Sequence, residues 1–143
     1  MRRAAVWALV ATLGMAVAAV GGCKQIVKPD PKKEYGPDVR FATVMSPTGE
    51  RKNLVRSPDG KRLAYRVDTP NSPDGEVEHV YLEAGGQTYM VVGLPYEGKP
   101  LENLHWQDAG TLVFERWFEK GSGIRFLMDC YKGVMGRAEY VRR

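Results

Sequence analysis

The chain has 143 residues, 43% of them apolar, with a formal net charge of +4 and two cysteines. Of its 21 Lys and Arg, Arg2 and Arg3 belong to the leader, leaving 19 against 17 Asp and Glu. These basic residues are scattered along the chain, with Lys32-Lys33, Arg51-Lys52, Lys61-Arg62 and Arg142-Arg143 as local pairs after the leader, so a nucleic-acid surface is excluded.

The leader comes first. Arg2 and Arg3 precede an apolar run from Ala4 to Val20, which ends in Val20-Gly21-Gly22-Cys23. A basic start, an apolar stretch and small residues before a cleavage point make an export signal. With a cysteine directly after the small pair, the segment resembles the lipobox of bacterial lipoprotein precursors. That resemblance implies a diacylglycerol on the Cys23 sulfur, cleavage before Cys23 and acylation of the new amino terminus. Val20 and Gly21 depart from the usual Leu and Ala or Ser. The alternative is an uncleaved anchor, since residues 4–20 lie at the lower limit of the roughly 17–25 residues that span a bilayer. Both put the N-terminus in the cytoplasm and the remainder across the membrane. A twin-arginine match is weak.

Removal of residues 1–22 leaves 121, one domain by length. With Cys23 modified, Cys130 is the remaining thiol and no internal disulfide can form. Residues 23–38 read as the lipidated cysteine and an extended tether, because Pro29, Pro31 and Pro37 interrupt a charged stretch. Fully extended, it would lift the domain up to roughly 45 Å from the membrane. Tyr35 is its candidate anchor to the body.

Residues 39–143 read as an all-β, largely antiparallel meander. Strands are expected at Arg40–Met45, Asn53–Arg56, Arg62–Val67, Glu78–Glu83, Gln87–Val92, Leu101–Trp106, Thr111–Phe118, Ile124–Asp129 and Ala138–Arg142, short runs rich in β-branched and aromatic residues. Turns separate them. Ser46–Gly49, Ser57–Gly60 and Ser72–Gly75 share the form Ser-Pro-x-Gly, suited to type I turns.

Asn53–Tyr65 has a counterpart in Leu104–Phe114 when one residue after the first glycine is skipped. Each copy continues into an aromatic strand, His79-Val80-Tyr81-Leu82 and Arg125-Phe126-Leu127-Met128. Residues 53–92 and 101–143 thus resemble two blades of TolB-type, WD40-like propellers. The resemblance implies two four-stranded sheets packed face to face, with Leu63, Tyr65, Leu112 and Phe114 between them. Propellers close with about four to eight blades, so two would stack or associate with other chains.

Catalytic constellations are thin. His79 and His105 lack metal-site spacing, no metal or cofactor motif is present, and Gly121-Ser122-Gly123 reads as a hairpin tip. Cys130 with His105 could form a thiol and base, and Glu115 with Glu119 read as solvated rim charges. On Thr111–Glu119, alternation puts Leu112, Phe114, Phe118 and Arg116 on one side and Val113, Trp117, Glu115 and Glu119 on the other. Arg116 and Trp117, with Trp106, Tyr96 and Tyr131, are the candidate partner contacts, since Trp, Tyr and Arg dominate interface hot spots.

The expectation is a lipid-anchored, non-catalytic envelope protein. It would be held by acyl chains on Cys23, with a protein partner and no nucleic acid. Lys24 after the cysteine favours the outer membrane, facing the periplasm, in the enteric sorting scheme. Two alternatives stand beside it: an assembly subunit completing a larger β structure, and a small thiol-dependent enzyme.

Overall fold

The computed structural model describes residues 28–143. The signal, Cys23 and the first tether residues lie outside the described residues. One short helix, α1 (Pro31–Tyr35), precedes nine strands: β1 (Arg40–Val44), β2 (Arg51–Arg56), β3 (Arg62–Asp68), β4 (Glu78–Ala84), β5 (Gln87–Val92), β6 (Leu101–Asp108), β7 (Thr111–Glu119), β8 (Ser122–Asp129) and β9 (Val134–Arg142). All nine expected strands are present, and the largest boundary difference is at β9, which starts four residues early.

The strands form a single antiparallel sheet in the order β2-β3-β4-β5-β1-β9-β8-β7-β6. Two four-stranded meanders are therefore real, but β1 joins them into one sheet, and the propeller resemblance is not confirmed. The sheet curls until its outer strands, β2 and β6, approach each other. There Trp106 Nε1 donates to the Val55 carbonyl at 2.9 Å, and the Arg66 guanidinium donates to the Leu101 carbonyl. The result is a nearly closed barrel. Each edge strand bends at a bulge beside an asparagine with positive φ, 53° at Asn53 and 56° at Asn103. Asparagine tolerates that left-handed geometry better than most residues.

The interior holds Ala64, Val80, Leu82 and Val91 from the first meander against Leu112, Phe114, Ile124, Phe126 and Met128 from the second. Leu112 and Phe114 face inward as expected; Leu63 and Tyr65 do not. In β3 it is Ala64 that points into the barrel, while Tyr65 and Val67 build a second small cluster with Tyr81 on the outer face. The residue skipped in the repeat alignment explains the reversal, because a one-residue shift moves a strand's whole apolar set to the other side.

That outer cluster is covered by the connection from β1 to β2. The two strands are consecutive in sequence, yet β5, β4 and β3 lie between them. Residues 45–50 cross these strands: Ser46 Oγ lies 3.2 Å from Thr88 Oγ1 on β5, and Arg51 stacks 4.6 Å from the Tyr65 ring centre on β3. Gly49 lies so close to Val67 that a Cβ would meet its Cγ1 at 2.7 Å. Ser46–Gly49 is thus part of a crossover, not the expected type I turn. Ser57–Gly60 and Ser72–Gly75 do close as turns, with Gly N–H to Ser C=O bonds of 2.9 and 3.1 Å. In both, the third residue is an aspartate that accepts from the serine hydroxyl. Ser46–Gly49 has Thr48 there.

The tether also departs from expectation, because part of it is folded. Asp30 caps α1 by accepting from the Lys32 N–H at 3.0 Å, and Pro31 is buried at the first helical position. β9 pairs with β8 along its length but with β1 only at Val134. From Gly136 onward its other edge carries no strand, and α1 packs beside it.

Candidate functional site

The barrel has two differently built ends. At one, α1 closes against aromatic side chains from three parts of the chain. Tyr35 packs edge-on to Tyr96 with ring centres 6.2 Å apart, and Tyr96 stacks on Phe118 at 4.0 Å. Tyr140 Oη donates to Glu34 at 3.0 Å. Hydrogen bonding to Tyr96, then burial, raises the Tyr35 hydroxyl pKa. Between residues 28–31 and the second half of β9 runs an open groove of about 1260 Å³, with Tyr96, Phe118 and Tyr140 in its walls.

Beside this foot lies the largest buried side chain. Arg116 is 1% exposed and points into the barrel. Its guanidinium makes a two-pronged ion pair with Glu76, and its Nη1 also donates to the carbonyls of Pro95 (2.9 Å) and Tyr96 (3.1 Å). Glu76 in turn accepts from the Gly98 N–H at 2.7 Å. The pair closes the barrel end and fixes the 93–100 loop that presents Tyr96.

Arg116 is therefore corrected from a candidate partner contact to an interior tie, because no surface of it is left to touch a partner. Trp117 is half-buried: it lies against the Gly123 backbone and under Arg143, whose guanidinium is 3.9 Å from its ring. Trp106 is half-buried at the β2–β6 seam. Tyr96 and Tyr131 are exposed, at 40% and 70%.

Tyr131 marks the opposite end. It sits on the β8–β9 hairpin, against Gly110 of the β6–β7 hairpin, and holds Arg62 of β3 at 4.7 Å from its ring. Arg62 also donates to the Ala109 carbonyl at 3.2 Å. Three hairpins thus meet around one exposed tyrosine, eight residues of β8 or about 24 Å from the groove.

The remaining reactive groups are dispersed. Burial pushes the Cys130 thiol up to about 11, and His105 spends its Nδ1 on the Asn103 carbonyl at 2.7 Å. Glu115 is buried under Arg125, which bonds it twice at 2.8–2.9 Å, while Glu119 is exposed. Ser122 begins β8 at the hairpin tip, as expected. Sequence reasoning missed one network: His79 is 5% exposed, with Nε2 2.7 Å from Asp74 Oδ2 and Nδ1 against the Thr69 hydroxyl. The Ser72–Gly75 turn with a histidine four residues on was its signal. Burial works to raise the Asp74 pKa, but bonds from His79, Ser72 and the Glu76 N–H outweigh it and hold the carboxyl at about 2. Among the described residues no group of three His, Cys, Asp or Glu is placed to hold a metal ion.

No protein-family model and no curated protein matches the chain. A crystal structure named "putative conserved lipoprotein", from Clostridium novyi NT, is similar in fold: 14% identity, TM-score 0.50, covering 70% of this chain and 68% of that one.

Proposed function

We propose that this protein is a lipid-anchored, non-catalytic envelope module, held on the extracytoplasmic side of a bacterial membrane by acyl chains on Cys23. Its task is to bind or scaffold a protein partner. The outer membrane, facing the periplasm, is the proposed address. The observation that carries the reading is the docking of α1: the segment following Cys23 is bolted to the barrel through Tyr35, Tyr96 and Tyr140. A body attached so firmly to its own tether is suited to a fixed position beside an anchor. The similarity in fold to a protein described as a lipoprotein agrees with it.

The partner surface is assigned to the far end, where exposed Tyr131 and half-buried Arg62 join three hairpins. An assembly subunit finds less support, because β2 and β6 face each other across the seam and are tied there by Trp106 and Arg66. The thiol enzyme finds less still, since Cys130 is held protonated.

Metabolic labelling with a palmitate analogue tests the anchor. The wild type should incorporate label and yield an amino-terminal peptide beginning at acylated Cys23, and Cys23→Ala should lose both. Equal incorporation in the two proteins would overturn the reading.

A further inference from the structure

We infer that the face around the groove rests on the membrane that carries the anchor, with Tyr96 and Tyr140 at headgroup level and the Tyr131 end pointing away. This rests on the proposed acylation of Cys23.

Tether length is the first argument. Fifteen extended residues would allow a loose, freely turning body, but Lys28 already lines the groove and α1 is fixed to β9. Only five Cα steps separate Cys23 from Lys28, a reach of at most about 18 Å. A compact domain of this length has a radius of gyration of roughly 14 Å. A sulfur held at the bilayer surface therefore keeps Lys28 and the groove it lines within about 18 Å of the headgroups, a distance comparable to the size of the domain, while the hairpins stand about 24 Å along β8 from that point of attachment.

Composition is the second. The rim of the groove exposes Tyr96 (40%) and Tyr140 (38%) together with Lys28 and Arg142, and Lys32 and Lys33 are exposed on α1 beside it. Tyrosines beside cations are the pairing enriched at membrane–water boundaries. Of the acids nearby, Asp30 caps α1, Glu34 accepts from Tyr140 and Glu139 pairs with Arg125 and Arg137, while Glu97 and Glu119 are exposed with no ion pair among the described residues. Lys28, Lys32, Lys33 and Arg142 form no ion pair among the described residues, so the unpaired cations outnumber the unpaired acids on this face.

The test uses the mature, acylated protein carrying Cys130→Ala, with a fluorophore on Lys33→Cys in one preparation and on Lys132→Cys in another. Each is reconstituted in phosphatidylethanolamine and phosphatidylglycerol vesicles containing a headgroup-linked nitroxide quencher. Quenching at position 33 should exceed that at 132 severalfold. Equal or reversed quenching in protein whose intact mass includes the acyl chains overturns the inference and leaves the anchor standing. Protein that carries no acyl mass overturns the anchor itself. In cells, position 33 crosslinking to another protein instead of to lipid would assign the groove to a partner and also overturn the inference.

Discussion

Arg116 and Glu76 stand forty positions apart and meet inside the barrel end, the arginine on β7 and the glutamate just before β4. The arginine lies on the same face as Leu112 and Phe114, so the strand pattern that builds the core also carries a cation into it. Glu76 and the carbonyls of Pro95 and Tyr96 compensate that charge. Removing one partner of a buried pair leaves the other uncompensated, which costs about 3–5 kcal/mol. Arg116→Ala should therefore lower the urea midpoint sharply, and Glu76→Ala should do nearly the same. The double variant should cost less than the sum, because neither charge is then stranded. Additive losses would show that the two residues do not act as a pair.

Most of the strand content was legible because alternation and turn chemistry are local. The order of strands was not. Nothing in Ser46-Pro47-Thr48-Gly49 announces that it crosses three strands, except that it lacks the aspartate closing the other two tetrads. The partner of Arg116 was equally hidden, since Glu76 lies in a loop and reaches it only when the sheet curls. Arg116 consequently read as surface, although its face was assigned correctly. Tyr131 was read as a candidate contact, and it is exposed, whereas α1 was masked by the prolines around it, one of which begins the helix.

Trp106 ties the barrel's two edges together through a single hydrogen bond to the Val55 carbonyl. Trp106→Phe keeps most of the ring's packing and removes the donor, so the loss should be about 1 kcal/mol. The local effect should be larger than the global one. Amide exchange should quicken in β2 and β6 before it does in β7 and β8, which are paired on both sides. Uniform acceleration across all strands would mean the seam does not open independently.

The Asp74–His79 bond predicts a specific acid response. Asp74 falls from its usual 3.8 to about 2 in the folded protein, so its ionised form is favoured by folding. Such a group stabilises at pH above 3.8, and that contribution disappears as pH drops toward about 2. Asp74→Asn should melt below the wild type at pH 6, with the gap narrowing between pH 4 and 2. A gap that stays constant over this range would assign the effect to lost packing in the 69–77 loop. Its size should be modest, since nearly half of the Asp74 side chain is open to solvent.

Cys130 offers the sharpest separation between a binding module and a thiol enzyme. Its backbone N–H is fixed to the Gly110 carbonyl at 2.8 Å, and burial raises its thiol to about 11. Only the thiolate attacks an electrophile. At pH 8 the folded protein would hold about one thiolate per thousand molecules, where an ordinary cysteine holds roughly a quarter. Iodoacetamide should therefore modify native Cys130 on the order of a hundredfold more slowly than the urea-unfolded chain. Cys130→Ala should also cost little stability, because the sulfur's hydrogen bond to the Met128 carbonyl is long, at 3.9 Å, and the side chain is only partly buried against the core. A native rate equal to or above the unfolded one would place a lowered thiol at this position. The hairpin end would then have to be considered a reactive site instead of a docking surface.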